Sequence, residues 1–113
     1  MTQANITRIL KAAGFAQSER IQTAKNRKGS QRGHWHTTEG FRVENIASQG
    51  IVFAVHTQMD SAVRPEDWPD PDAARPRVIE YLEALRKAGL PARIEQRSHH
   101  YRPYVVVDTR EAP

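Results

Sequence analysis

Two stretches of the chain carry apolar residues at helical spacing. The first set is Ile6, Ile9, Leu10 and Ala13, and the second is Val78, Tyr81, Leu82, Leu85 and Ala88. They predict a helix over residues 5–13, with Asn5 as its N-cap, and a second helix that begins near Pro76, because proline is tolerated only in a first helical turn. Gly14 and Gly89 follow these stretches and are each succeeded by an apolar residue, which predicts a glycine stop at both helix ends.

Strands are predicted by alternating or continuous apolar runs. They cover residues 34–47, 51–57, 92–98 and 103–109, and residues 18–24 form a weaker fifth strand. A turn at residues 47–50 places position 46 opposite 51, and therefore His56 opposite Phe41. A turn at residues 99–102 places position 98 opposite 103, and therefore Arg93 opposite Asp108. The same register places Arg97 opposite Tyr104.

The predicted fold class is α+β, with two helices packed on a mainly antiparallel sheet of four or five strands in the order α-β-β-β-α-β-β. Residues 1–113 are expected to form a single domain. Residues 60–72 contain three prolines and five acids, which predicts an extended surface connector whose Asp70 or Asp72 caps the second helix. The predicted core consists of Ile6, Ile9, Leu10, Phe15, Phe41, Val43, Ile51, Phe53, Val55, Val78, Leu82, Leu85, Ile94, Val105 and Val107.

The two predicted helix ends resemble each other in sequence. LKAAGF at 10–15 is followed by ERIQ, and LRKAGL at 85–90 is followed by ARIEQ. One interpretation is a duplicated helix–glycine–strand unit. The alternative is that any amphipathic helix that stops on glycine before a strand has this pattern, and a match this short does not decide between them.

Composition excludes several classes of site. The chain has no cysteine, so disulfides, a thiolate nucleophile and cysteine-ligated metals are excluded. The first residues lack the basic and apolar regions of a signal peptide, and no apolar run approaches the length of a membrane span. A cytoplasmic location, without membrane contact, is the expectation.

Positive charge is concentrated in the first part of the chain. The net charge is +4 overall, and residues 20–36 contain five cationic side chains and no acid. Clustered cations beside an aromatic residue favour nucleic acid, because the cations contact phosphates and the ring stacks on an unpaired base. The candidate nucleic-acid contacts are Arg20, Lys25, Arg27, Lys28, Arg32 and Trp35. The alternative is a solvated loop with Trp35 in the core.

His34 and His36 are two residues apart and share a face if this segment is a strand, as metal ligands often do. The predicted register leaves His56 too far along the sheet to be a third ligand. No metal and no cofactor are therefore expected, and a histidine-dependent metal enzyme is the least favoured hypothesis.

Nothing in the sequence has the spacing of a nucleophile elbow, a zinc-protease motif or a phosphate-binding loop. The favoured hypothesis is a non-catalytic module that contacts nucleic acid or a nucleoprotein assembly through its basic loop. The main alternative is a protein-interaction module, such as a small inhibitor or assembly factor of the kind that mobile elements encode. Its candidate contacts are Trp68, Tyr101 and Arg102, because aromatic and arginine side chains are common at interfaces.

Overall fold

The helices and strands follow the predicted order in a computed structural model that describes residues 2–22, 35–47, 51–60 and 65–111. The elements are α1 (Gln3–Ala12), β1 (Arg20–Gln22), β2 (Trp35–Thr37), β3 (Gly40–Ala47), β4 (Val52–Gln58), α2 (Arg75–Lys87), β5 (Ala92–Glu95) and β6 (Tyr104–Asp108). The α+β class is confirmed. No helix in these ranges is long and apolar enough to cross a bilayer.

Helix α1 begins earlier than predicted, because Thr2 rather than Asn5 is the N-cap. The Thr2 hydroxyl accepts a hydrogen bond from the Asn5 backbone N–H at 3.2 Å, and the Asn5 side chain accepts from the Thr2 N–H at 3.0 Å. This reciprocal pair is a capping box with asparagine at the third helical position. Asn5 is a capping residue, but it acts from inside the helix.

Helix α2 begins at Arg75, and Pro76 lies in its first turn as predicted. The connector before it is exposed over residues 66–70 but is not extended: it forms short 3-10 helices at Pro65–Asp67 and Pro71–Ala74. Asp70 caps the second of these by accepting from the Asp72 N–H at 2.8 Å. The predicted aspartate cap therefore stabilises the turn that leads into α2 rather than α2 itself.

Both helices end in the same glycine motif. Gly14 and Gly89 have φ angles of 95° and 86°, and the next residue in each case donates its N–H to the carbonyl five residues earlier, at 3.1 Å from Phe15 and 3.0 Å from Leu90. The glycine N–H groups bond the carbonyls of Lys11 and Arg86, which completes a Schellman motif at each end. The glycine stops predicted from sequence are confirmed.

The main sheet has the strand order β3-β4-β6-β5 and is antiparallel throughout. This is the order that two adjacent α-β-β units give, the first contributing α1, β3 and β4 and the second α2, β5 and β6. The strand segments that match in sequence do not occupy equivalent places, however. Residues 20–22 form β1 in a separate two-stranded sheet, whereas residues 92–95 form β5 in the main sheet.

The core lies between the helices and one face of the main sheet. Nine predicted core residues are buried there, and Ile9, Phe15, Val43, Leu82 and Ile94 pack partly buried against them. Ile51 does not belong to this cluster, because it precedes β4 at the turn, and Tyr81 and Ala92 belong to it in addition. The opposite sheet face contains further buried apolar residues, Val52, Ala54 and Val106.

The predicted register of the β3–β4 hairpin is wrong by one residue: His56 pairs with Arg42, and Phe41 pairs with Thr57. An irregularity between Asn45 and Ala47 supplies the extra residue. Since neighbouring side chains alternate between faces, the observed register puts Val43 and Val55 together on the core side, whereas the predicted one would have exposed one of them.

The register of the β5–β6 hairpin is shifted by two residues from the prediction. Arg93 pairs with Val106 rather than Asp108, and Tyr104 pairs with Glu95 rather than Arg97. A turn in which the Tyr101 N–H bonds the Ser98 carbonyl at 3.0 Å, and Pro103, which has no N–H to donate, end the pairing early. Because side chains alternate between the two faces of a sheet, a shift of two residues leaves each one on its predicted face, and Ile94 still faces the core.

The predicted strand over residues 34–47 is divided into β2 and β3 by Thr38 and Glu39. At this junction, residues 16–18 run alongside the start of β3, where Gln17 and Phe41 form a parallel bridge. The Ser18 N–H donates to the Phe41 carbonyl at 2.9 Å, and the Phe41 N–H donates to the Ala16 carbonyl at 3.0 Å. The weak fifth strand is confirmed as β1, which pairs with β2 in antiparallel register.

Candidate functional site

A cleft of about 420 Å³ lies at one end of the main sheet, on the face opposite the helices. Sheet residues form its floor, the connector and the β5–β6 loop form its walls, and arginine and aromatic side chains predominate among them. We call it the arginine–aromatic cleft; its charged, histidine and aromatic residues are Arg42, His56, Trp68, Arg97, His100, Tyr101, Arg102 and Tyr104. No carboxylate lines it within the described ranges.

The floor follows from the alternation of side chains along three strands. Phe41, Val55 and Val105 face the core, so their neighbours Arg42, His56 and Tyr104 face the cleft. The rings of His56 and Tyr104 lie 5.2 Å apart, tilted by 34°. The floor therefore combines a cation with two partly stacked rings.

The walls are held in place by a chain of polar contacts. Arg75 contacts the Asp72 carboxylate at 3.2 Å and donates to the Gln96 side-chain oxygen at 2.6 Å. Gln96 in turn donates to the Tyr101 carbonyl at 2.8 Å. Because this series of polar contacts links the start of α2 to the β5–β6 loop, it fixes the connector wall and the loop wall relative to each other.

The three arginines of the cleft keep hydrogen-bonding capacity. Arg102 donates to the Thr57 carbonyl at 3.2 Å, and the Arg97 guanidinium lies over the Tyr101 ring at 5.2 Å. Arg42 contacts Gln58 at 3.4 Å and Glu44 at 3.5 Å. A guanidinium has five N–H donors, so these contacts leave donors on each arginine for an anionic ligand.

His56 is half-buried, and its surroundings favour the neutral form of the ring. Burial lowers its pKa below 6.5 and the charge of Arg42 adds to this effect, while the hydrogen bond and charge of Glu44 oppose it. The His56 Nε2 atom lies 3.0 Å from the Glu44 carboxylate. A neutral ring that donates to Glu44 from Nε2 leaves Nδ1 as a hydrogen-bond acceptor beside the arginines.

A second cavity, of about 320 Å³, adjoins the cleft and shares Thr57, Gln58, Pro69 and Arg102 with it. Its lining is mixed in charge, since it includes the carboxylates of Glu39, Asp70 and Glu80 together with Arg77 and Arg102. An anionic ligand is therefore favoured in the arginine–aromatic cleft over the neighbouring cavity.

The three predicted protein-interface residues, Trp68, Tyr101 and Arg102, are brought together in this cleft. Of the predicted nucleic-acid contacts in the basic segment, the structure describes only two. Arg20 lies on β1 and Trp35 opens β2, whereas Lys25, Arg27, Lys28 and Arg32 lie outside the described residues.

Sequence reasoning did not assign Arg42, His56, Arg97 or Tyr104 to a ligand site. A signal was present for Arg42 and His56, because each is next to an apolar core residue on a strand and must face the other way. Their proximity to Trp68 depends on tertiary structure, which no local pattern contains.

His36 lies on β2, and His34 lies outside the described residues. Within the described ranges, no three histidine, aspartate or glutamate side chains are grouped as metal ligands would be. Comparison with known proteins found no matching family model, no matching curated protein and no matching solved structure.

Proposed function

We propose that the chain is a non-catalytic binding module that contacts nucleic acid or a nucleoprotein assembly through two groups of cationic residues: those of the arginine–aromatic cleft and those of the basic segment 20–36. One observation carries the proposal. Three arginines and three aromatic side chains converge on the cleft, and no described carboxylate lines it.

Nucleic acid combines the two chemical features that such a cleft recognises. Its phosphates accept paired hydrogen bonds from guanidinium groups, and its bases present flat faces to aromatic rings. The five cations of residues 20–36 add charge attraction without needing a defined shape.

The experiment is a salt titration of binding to fluorescein-labelled oligonucleotides. Five phosphate contacts predict a log–log slope of about −3.5 on a single strand and about −4.5 on a duplex, so affinity falls roughly 100- to 500-fold between 50 and 200 mM salt. Affinity that does not change over this range contradicts the proposal.

Replacing Lys25, Arg27, Lys28 and Arg32 together with glutamine should weaken binding at low salt without changing the circular dichroism spectrum. The matched control replaces Arg8, Lys11, Arg77 and Lys87, which lie on the helices and not in the cleft. Equal losses from the two quadruple variants would show that net charge, rather than the basic segment, determines binding.

A protein-interaction module is the second candidate function. The observation in its favour is that Trp68 and Tyr101 are each 54% exposed at the cleft, where large aromatic side chains anchor protein partners. A partner that remains bound in a pull-down after nuclease treatment, and is lost with Trp68→Ala, supports this function.

A further inference from the structure

We infer that the arginine–aromatic cleft binds an unpaired nucleotide, with its base on the exposed rings of Trp68 and Tyr101 and its phosphate on the arginines. This inference rests on the proposed nucleic-acid function and specifies its ligand as single-stranded. Three independent features of the described residues support it: ring exposure, arginine placement and the charge of the surroundings.

The exposed rings of Trp68 and Tyr101 discriminate between single and double strands. Trp68 and Tyr101 expose 54% of their surface while most other large apolar residues of the described ranges are buried or half-buried. Bases in a duplex are stacked on each other and present only their edges. An exposed ring in a cleft therefore gains a stacking contact only from a base that is unpaired.

The arginines line the same cleft as these two rings. Arg97 already stacks on Tyr101 at 5.2 Å, and Arg102 follows Tyr101 directly and is anchored to the Thr57 carbonyl at 3.2 Å. Anchoring reduces the side-chain entropy that is lost on binding. Each guanidinium retains N–H donors, and two of them on one planar group can bind two oxygens of the same phosphate.

The surroundings restrict where the ligand lies. The adjoining cavity is lined by three carboxylates, Glu39, Asp70 and Glu80, as well as by Arg77 and Arg102. These carboxylates offset the two arginines, so a phosphate is favoured instead in the cleft of about 420 Å³, which three arginines and no described carboxylate line. That volume lies in the range of about 300–1,000 Å³ that is typical of sites for small ligands.

The test compares fluorescein-labelled dT12 and rU12 with a 12-base-pair duplex by fluorescence polarisation at 50 mM salt. We expect at least one single strand to bind more tightly than the duplex. Trp68→Leu and Tyr101→Leu should each weaken single-strand binding roughly 5- to 150-fold, the range that corresponds to one lost stacking contact of about 1–3 kcal/mol.

Matched variants separate stacking from apolar contact and from charge. Trp68→Phe and Tyr101→Phe keep a ring and should retain most of the affinity, whereas leucine keeps only apolar surface. Arg102→Gln should weaken binding more than Arg8→Gln, which removes the same charge from the exposed surface of α1. Thermal unfolding midpoints establish that the variants are folded.

Two results overturn the inference but leave the proposed function standing: duplex binding as tight as single-strand binding, or leucine variants that bind like the wild type. An acidic protein segment is the alternative occupant, and an octaglutamate peptide that binds the cleft more tightly than dT12 or rU12 also overturns it. Failure of every oligonucleotide to bind at 50 mM salt instead removes the proposed function itself.

Discussion

Asp108 lies at the end of β6 on the same sheet face as the cleft, and only 3% of its surface is exposed. Arg110 donates to both carboxylate oxygens, at 2.9 and 2.7 Å, and its backbone N–H adds a third hydrogen bond at 3.1 Å. The side-chain hydrogen bonds from Arg110 lower the pKa of Asp108 from 3.8 to about 2, although burial acts in the opposite direction. The charged form is therefore favoured by the fold.

This pKa gives a pH-dependent stability with a defined sign. Above about pH 4 the carboxylate is charged in both states and the fold stabilises it; below that pH the unfolded chain binds the proton first. The stability contributed by Asp108 should therefore disappear between about pH 4 and pH 2. Asp108→Asn should lower the urea midpoint at pH 7, and its difference from the wild type should shrink through that window.

Two further variants serve as controls for this prediction. Arg110→Gln should weaken the pH dependence in the same window, because it removes the two side-chain hydrogen bonds to Asp108 and leaves only the one from the backbone N–H. Glu83→Gln, on the exposed face of α2, should leave the change in urea midpoint between about pH 4 and pH 2 as it is in the wild type. A difference between Asp108→Asn and the wild type that is constant from pH 7 to pH 2 would contradict the assignment.

Single residues were predictable where their role depends on local pattern. Phe41, Val55 and Leu85 were assigned to the core from alternation or helical spacing, and all three are buried. Trp68 and Tyr101 were each singled out, but the sequence contains no sign that they share a cleft. Ile51 was misassigned because alternation does not reveal which residue still belongs to the turn.

Gly40 determines how α1 connects to the main sheet. It opens β3 with a φ of +155°, and a β-carbon there would lie 2.5 Å from the Ser18 nitrogen and 2.6 Å from the Ala16 oxygen. Both are backbone atoms of residues 16–18, which run alongside β3, so a side chain cannot be accommodated by a rotamer change. Gly89 also has a positive φ, of +86°, but nothing lies within 4 Å of its hypothetical β-carbon.

The two glycines therefore predict different costs for the same substitution. Gly89→Ala should lower the free energy of unfolding by about 1–2 kcal/mol, because alanine is disfavoured at a positive φ. Gly40→Ala should lower it by more, about 3 kcal/mol or above, because the new methyl group also clashes with the backbone of residues 16–18. Urea unfolding followed by circular dichroism measures both, and equal costs would show that residues 16–18 do not lie against β3 as described.

At the scale of elements, the order and type of helices and strands were predictable, whereas strand registers were not. Each register depends on how many residues the connecting turn takes: the irregularity near Ile46 shifted one hairpin, and the early turn at Ser98 shifted the other. These details decide which side chains meet. Arg42 lies opposite His56 in the cleft for this reason, and the predicted pairing would have separated them.

For the whole molecule, the strand order of two adjacent α-β-β units raises the question of whether the halves are independent. The core indicates that they are not. Tyr81 of the second half packs edge-on against Phe15 at 4.9 Å and Phe41 at 6.2 Å, both from the first half. Strands β4 and β6, one from each half, are also hydrogen-bonded neighbours at the centre of the sheet.

A shared core of this kind predicts one cooperative unfolding transition, because neither half retains a buried apolar face without the other. Calorimetric and van't Hoff enthalpies should agree, with a heat-capacity change of about 1.4–1.7 kcal/mol/K for a chain of this length. Tyr81→Ala removes the ring that packs between the halves. It should lower the free energy of unfolding by about 3–5 kcal/mol, as large aromatic-to-alanine changes in cores do. It should lower the midpoint of the single transition. If two transitions appear in the wild type, the halves are separate folding units and the sheet order reflects two domains side by side.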